Sequence, residues 1–365
     1  MAGKRGVGEG DPSEAAMKKA RLEEGASEVE GSVPVIDIAP FFAEGATEGA
    51  REALAAEVKR ACEEVGFFVV VGHGIDGGLP QACADAGYAF FGRPEEEKAK
   101  VAANGSAYGF FPLASEALGY DADVRNRPDL REAFSMGPQD ALPPEGSPDR
   151  PGGPKEVLEF CYQQTPWPED EGGGASLREA MQRYYREAGG LADRLLRILA
   201  LALRVDAEDF LAKTRGHASS LRVVHYPALT VEPLPGQLRC GAHSDICTMT
   251  LLWQDVHGGL EVLPRGRTRW LEVQCPPGGL IVNLGDLFAR WTNDRWLSTP
   301  HRVACPPVAF RSPRISMPYF QILRSDAEVK CLESCLEPGE NPKYAPTTQG
   351  EDLRGHFKRW GRNRE

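Results

Sequence analysis

From Leu221 to Phe320 the chain is a succession of short runs rich in β-branched, aromatic and leucine residues, separated by glycine and proline: LRVVHY, QLRCGAHSD, CTMTLLW, GLEVLP, RWLEVQ, GLIVNLG, HRVACP and RISMPYF. Closely spaced strands of this kind close into a sandwich or barrel, in which turns manage the edges and alternating residues line an interior.

The strand period of two decides which side chains meet. His243 and Asp245, two residues apart in AHSDICTMTLLW, share a face while Ser244 points away. His301 in STPHRVACP, brought up from a neighbouring strand, completes a triangular set of ligands. Two neutral imidazoles and one carboxylate suit a borderline divalent metal such as Fe(II), and leave octahedral positions open for substrate, cosubstrate and O2. A structural zinc site would normally be closed by protein ligands with sulfur among them. None of the nine cysteines stands in a C-x-x-C pair, and the closest two, Cys331 and Cys335 in CLESC, are isolated.

Arg314 and Ser316 repeat the spacing of two in the apolar run AFRSPRISMPYFQIL, which reads as a strand. A guanidinium facing a barrel interior needs an anionic partner, because a buried unpaired charge is costly. A dicarboxylate cosubstrate fits: the fork grips one carboxylate and the serine hydroxyl adds a further hydrogen bond. The plainer reading of Arg314 is a structural ion pair.

Several separated motifs stand in one order along residues 32–325: VPVIDIAPFF, GFFVVVGHGI, HSD, GGLEVLP, VNLGDLFARWTND, HRV and RIS. With them the chain resembles the isopenicillin N synthase-like family of non-haem Fe(II), 2-oxoglutarate-dependent oxygenases. The resemblance implies a double-stranded β-helix, or jelly roll, as the catalytic core, with flanking helices in a mixed α and β chain. It implies His243, Asp245 and His301 as the iron ligands, and Arg314 with Ser316 as the grip on 2-oxoglutarate. It adds Tyr226 of RVVHYPAL as a hydrogen-bond donor to the cosubstrate. Many plant members carry an asparagine two positions before that tyrosine; Val224 stands there in this chain.

The implied activity is that of a dioxygenase using Fe(II), 2-oxoglutarate and O2 to oxidise a small molecule by hydroxylation, desaturation or ring closure, with release of succinate and CO2. Two other readings stay open: an Fe(II)/O2 oxidase that does not use 2-oxoglutarate, and a noncatalytic, metal-stabilised binding module. Candidate pocket residues are Tyr108, Phe110 and Phe111 in a glycine- and aromatic-rich stretch, Arg222 ahead of Tyr226, and Phe320 in the alternating set of Arg314 and Ser316. Each has a plainer explanation, core packing for the aromatics and an ion pair for the arginine.

With 365 residues and 41% hydrophobic content the chain can bury a substantial core. A formal net charge of −11 speaks against a nucleic-acid or acidic-membrane partner. No run reaches the roughly 18 apolar residues of a membrane span, and the N-terminus lacks a secretory stretch. Scattered cysteines favour reduced thiols and a cytoplasmic location. Residues 1–31 read as a disordered tail; its clusters Lys4-Arg5 and Lys18, Lys19, Arg21 have the spacing of a two-part nuclear import signal, against the simpler reading of a solvated tail. Residues 32–220 are expected to form a mostly helical region packing on the core, 221–325 the β-helix with the iron site, and 326–365 an extension across the active site. Oligomeric state is not legible.

Overall fold

The computed structural model describes residues 32–118, 127–169, 176–230, 232–305 and 312–362, with side chains through residue 358. The expected tail and its basic clusters lie outside the described residues. Strand β1 (Val35–Asp37) leads through α1 (Ala39–Phe42) and α2 (Glu48–Glu64) to β2 (Phe67–Val71), α3 (Gly78–Phe91) and α4 (Glu95–Ala99). Strands β3 (Gly109–Phe111) and β4 (Glu132–Met136) precede α5 (Lys155–Cys161), α6 (Leu177–Leu203) and α7 (Ala207–Thr214). Then come β5 (Ser220–Tyr226), β6 (Cys240–His243), β7 (Met249–Gln254), β8 (Leu260–Val262), β9 (Leu271–Glu272) and β10 (Leu280–Leu284). Helix α8 (Asp286–Trp291), β11 (His301–Val303), β12 (Arg314–Gln321), β13 (Glu328–Val329), β14 (Thr347–Thr348) and α9 (Gln349–Arg362) complete the order.

Local chemistry sets the long helices. Thr47, Ser176 and Asp206 cap α2, α6 and α7 by accepting from the backbone N–H of Ala50, Glu179 and Glu208. Helix α6 runs unbroken through Gly189 and Gly190. A Cβ at Gly189 would stand 3.2 Å from the Tyr319 hydroxyl, so the small residue lets the helix lie close on the sheet.

Eight strands form the major sheet in the order β1-β2-β10-β7-β12-β5-β4-β3, and β6-β11-β8-β9 form the minor one. Apart from the parallel β1–β2 pair, the pairings in both are antiparallel. Period-two alternation gives the major sheet two apolar faces. Leu221, Val223, Ile315, Met317, Leu280 and Val282 pack under the helices, while Phe67, Val69, Val224, Tyr226 and Ile281 cluster with Leu260, Val262 and Val303 of the minor sheet. This is the expected double-stranded β-helix with helices on its outer side.

The expected boundary at residue 220 does not divide helices from sheet. Strands β1 to β4, all before it, belong to the major sheet, and β2 pairs with β10 more than two hundred residues later. Helix α9 packs on α5, where the Phe160 and Phe357 rings are 4.7 Å apart, in a cluster that reaches Ile246 beside Asp245. Among the described residues, no helix is long and apolar enough to cross a membrane.

Candidate active site

The β6–β11 pairing sets His243 directly opposite His301, and Asp245 follows two residues after the end of β6. One ligand atom from each of the three residues lies within 4.8 Å of the others. Asp245 Oδ1 is 3.7 Å from Nε2 of both His243 and His301. Asp245 and His301 are buried and His243 is half-buried, so the cluster is closed behind and accessible from one side.

The surroundings aim each ligand. His243 Nδ1 lies 2.9 Å from the Gly241 carbonyl and His301 Nδ1 3.2 Å from that of Thr299. With each Nδ1–H donating to a carbonyl, the Nε2 lone pairs are turned toward the cluster. Asp245 Oδ2 accepts from the Thr250 hydroxyl at 2.6 Å and the Asn283 amide at 2.8 Å, which leaves Oδ1 facing the imidazoles. Burial pushes the Asp245 carboxyl up, but the imidazoles of His301 and His243 and these two hydrogen bonds outweigh it and hold the group below its ordinary range. Burial, with His243 beside it, pushes the His301 imidazole down to about 4, so it is the neutral, ligating form at neutral pH. Gly241 is required by packing: a Cβ there would lie 1.7 Å from the Leu118 carbonyl oxygen.

Arg314 opposes Tyr226 across the β5–β12 pair and is fully buried. Its guanidinium lies 4.7 Å from the Tyr226 ring centroid and donates from Nη2 to Gln254 Oε1 at 2.7 Å. Its Nε and Nη1 are buried and have no hydrogen-bond partner among the described residues. No carboxylate pairs with it among those residues, so the structural ion pair is not its explanation. Ser316 is buried on the same inner face, opposite Val224 and Gln254. Two unsatisfied N–H donors on a buried cation are what an anionic ligand would satisfy. The thiol-free ligand set likewise suits Fe(II).

The remaining pocket candidates divide by strand parity. Phe111, Arg222 and Phe320 fall on the inner face, and Phe320 lies beside Thr250, which holds Asp245. Tyr108 and Phe110 do not join them. Phe110 packs against Phe90 and Phe91 under the helices, and the buried Tyr108 hydroxyl donates to the Cys161 carbonyl at 2.6 Å. Arg222 stands over the Phe111 ring at 4.7 Å and holds both oxygens of Glu116, which also faces Arg131.

Burial alone would raise the Glu116 carboxyl, but Arg222 and Arg131 hold it at about 2. The unfolded-state value is about 4.3, so the stability this pairing contributes is fully present above that pH and is lost as pH falls toward about 2. Glu116→Gln is therefore expected to lower stability at neutral pH and to flatten its decline below about pH 4.3. Chemical denaturation across that range checks this, and parallel declines in both proteins would be the contrary result.

Thr250, Gln254 and Asn283 are not singled out as site residues by the sequence alone. The available signal was polarity inside apolar strands, in CTMTLLW, LLWQ and LIVNLG.

Comparison with known proteins agrees with this geometry. Residues 33–170 match the family described as the N-terminal region of the non-haem dioxygenase in morphine synthesis, and residues 218–322 match the 2OG-Fe(II) oxygenase superfamily. The chain is 35% identical over 329 residues to the 2-oxoglutarate-Fe(II) type oxidoreductase hxnY of Emericella nidulans, covering 89% of each chain. It is 31% identical to the validamycin A dioxygenase of Streptomyces hygroscopicus subsp. limoneus, again over 89% of each. Among solved structures it resembles a full-length Neurospora crassa protein in complex with alpha-KG and thymine, with a TM-score of 0.77, 25% identity and coverage of 91% of this chain and 98% of that one. A double-stranded β-helix carrying this arrangement of ligands, matched along nearly its whole length by such relatives, places the chain in the family of Fe(II)- and 2-oxoglutarate-dependent oxygenases.

Proposed function

We propose that the chain hydroxylates a small, flat, polar molecule such as a nitrogen heterocycle, with His243, Asp245 and His301 holding Fe(II), and Arg314, Ser316 and Tyr226 holding 2-oxoglutarate. The observation that carries the cosubstrate assignment is the buried Arg314 guanidinium, on the inner face of the major sheet, with two N–H groups lacking partners among the described residues. Bound there, the iron and its cosubstrate would supply O2 activation coupled to decarboxylation to succinate and CO2.

The rest is done by the chain's own groups. Thr250 and Asn283 fix the carboxylate rotamer of Asp245, and the carbonyls of Gly241 and Thr299 fix the two imidazoles, so the ligand set needs little reorganisation on binding. Phe67 meets the His301 ring edge-on at 5.3 Å and helps keep water from that side. Phe320 and Phe111 lie on the inner face, and the Arg222–Glu116 pair, stacked over the Phe111 ring, offers a polar edge. Such a mixture suits a planar molecule with both an apolar face and hydrogen-bonding groups. The neighbour from Neurospora crassa holds thymine, a molecule of that description, and this supports the substrate class for the present chain.

The test is incubation of the Fe(II)-loaded protein with 2-oxoglutarate, O2 and a panel of pyrimidines, other nitrogen heterocycles, free amino acids and sugars. Succinate formed in step with a product that has gained one oxygen atom is the expected result, with heterocycles leading the panel. Coupled turnover on sugars or amino acids alone would overturn the substrate class, and oxidation without succinate would overturn the cosubstrate assignment.

A further inference from the structure

Arg239, in QLRCGAHSD immediately before β6, is a second buried guanidinium on the ring of Tyr226. It is 2% exposed, and its guanidinium carbon lies 6.0 Å from the ring centroid that Arg314 approaches to 4.7 Å. Its Nη2 donates to the Ser312 carbonyl at 2.7 Å and lies 3.5 Å from that of Pro227. These carbonyls stand two residues before Arg314 and one after Tyr226, so Arg239 ties together the strand ends that carry both. Its Nε is buried and has no hydrogen-bond partner among the described residues, and no carboxylate among them pairs with it. Asp255, just past the end of β7, already accepts from the Ile315 and His257 N–H groups and from the Tyr88 hydroxyl.

Two buried cations sharing one aromatic ring repel each other. Burial and the neighbouring Arg314 charge both push the Arg239 guanidinium below its ordinary range. Asp255 attracts Arg239 from a distance, but neither arginine has a carboxylate in direct contact among the described residues, so the arrangement stays costly until an anion arrives.

We propose that Arg239 is a second guanidinium for the distal carboxylate of 2-oxoglutarate, acting with Arg314 so that the pocket selects a dicarboxylate over a 2-oxo acid with an apolar tail. The inference rests on the cosubstrate reading given above. It separates two tasks of one side chain: Nη2 holds the strand ends, and the Nε–H side serves the ligand.

Anaerobic titration of the Fe(II)-loaded full chain, followed by its visible charge-transfer absorption, compares 2-oxoglutarate with 2-oxopentanoate, which lacks the distal carboxylate. In wild type, 2-oxoglutarate binds more tightly. Arg239→Gln is expected to weaken 2-oxoglutarate by about tenfold or more, as befits loss of a charge-assisted hydrogen bond, while 2-oxopentanoate binds as before. Arg239→Lys, which keeps the charge and a backbone-directed donor, is expected to recover part of that loss. Iron content and melting temperature report whether each variant is folded. A preference for 2-oxoglutarate left intact in both variants, or equal weakening of both acids, overturns the assignment of Arg239 alone. A wild type that shows no preference overturns the cosubstrate reading and this inference with it.

Discussion

Asp245→Ala is expected to lose Fe(II) on desalting and to lose succinate formation with it. Removing a partner that merely orients a metal ligand costs roughly 10–100-fold in affinity or activity, and Asp245 is itself the anionic ligand, so the loss should exceed about 100-fold. The site offers little to replace it. Asp245 Oδ1 is the group facing both imidazoles, and the neighbouring acids are engaged elsewhere: Asp286 takes hydrogen bonds from Ser244 and Ser298, Glu116 from Arg222, and Asp129 from the Gly241 N–H. Asn283→Ala and Thr250→Val remove one hydrogen bond each from Asp245 Oδ2. They should fall in the lower range, about 10–100-fold, with iron retained at high metal concentration. Asp245→Asn, nearly isosteric, separates loss of charge from loss of packing. The measurement is iron content per chain together with succinate yield. Stoichiometric iron in Asp245→Ala would remove this residue from the ligand set.

What the sequence discloses about this site is what strand alternation alone can carry. Arg314 and Ser316 share a face because a strand has a period of two, whereas β6 ends at His243 and Asp245, two residues beyond it, is held beside the imidazoles by Thr250 and Asn283. Phe110 and Phe111, being consecutive in β3, point to opposite faces, so only one of them could enter the pocket. Parity says that much; which face is the inner one depends on the pairing of β3 with β4 and of β4 with β5. Residues 32–220 are mostly helical as expected, but the four strands among them are not legible as part of the sheet, for a related reason. Strands β1 to β4 are three to five residues long and find their place by pairing with strands remote in the chain. A short apolar run does not state its partner. Helix α6, by contrast, is legible throughout, because its apolar repeat, its Ser176 cap and its Glu179 are all local. Asn283 and Thr250 are not legible as site residues for the same reason that short strands are not: their partner, Asp245, is defined only after β10 has paired with β7.

Arg314→Met is expected to separate folding from cosubstrate binding more sharply than any other change in the pocket. The guanidinium is fully buried, with one hydrogen bond to Gln254 and two N–H donors lacking partners among the described residues. An uncompensated buried charge of this kind is unfavourable, and replacing it by an apolar chain of similar length is often neutral or stabilising. Without cosubstrate, the Arg314→Met protein should therefore melt at or above the wild-type temperature. Addition of 2-oxoglutarate should reverse the order. Loss of one partner of a buried, hydrogen-bonded charge pair costs roughly 2–5 kcal/mol, which corresponds to a rise of about 30-fold to several thousand-fold in the cosubstrate dissociation constant. At a ligand concentration about 100 times the wild-type constant, wild type gains roughly 2.7 kcal/mol while the variant gains at most a fraction of that. Arg314→Lys should restore little, because an ammonium cannot present the paired donors of the planar fork. Thermal denaturation of the Fe(II)-loaded proteins under anaerobic conditions, with and without 2-oxoglutarate, reads both halves at once. If the two proteins respond equally to 2-oxoglutarate, the carboxylate is held elsewhere; if Arg314→Met melts far below wild type without cosubstrate, the guanidinium is instead a structural element of the barrel.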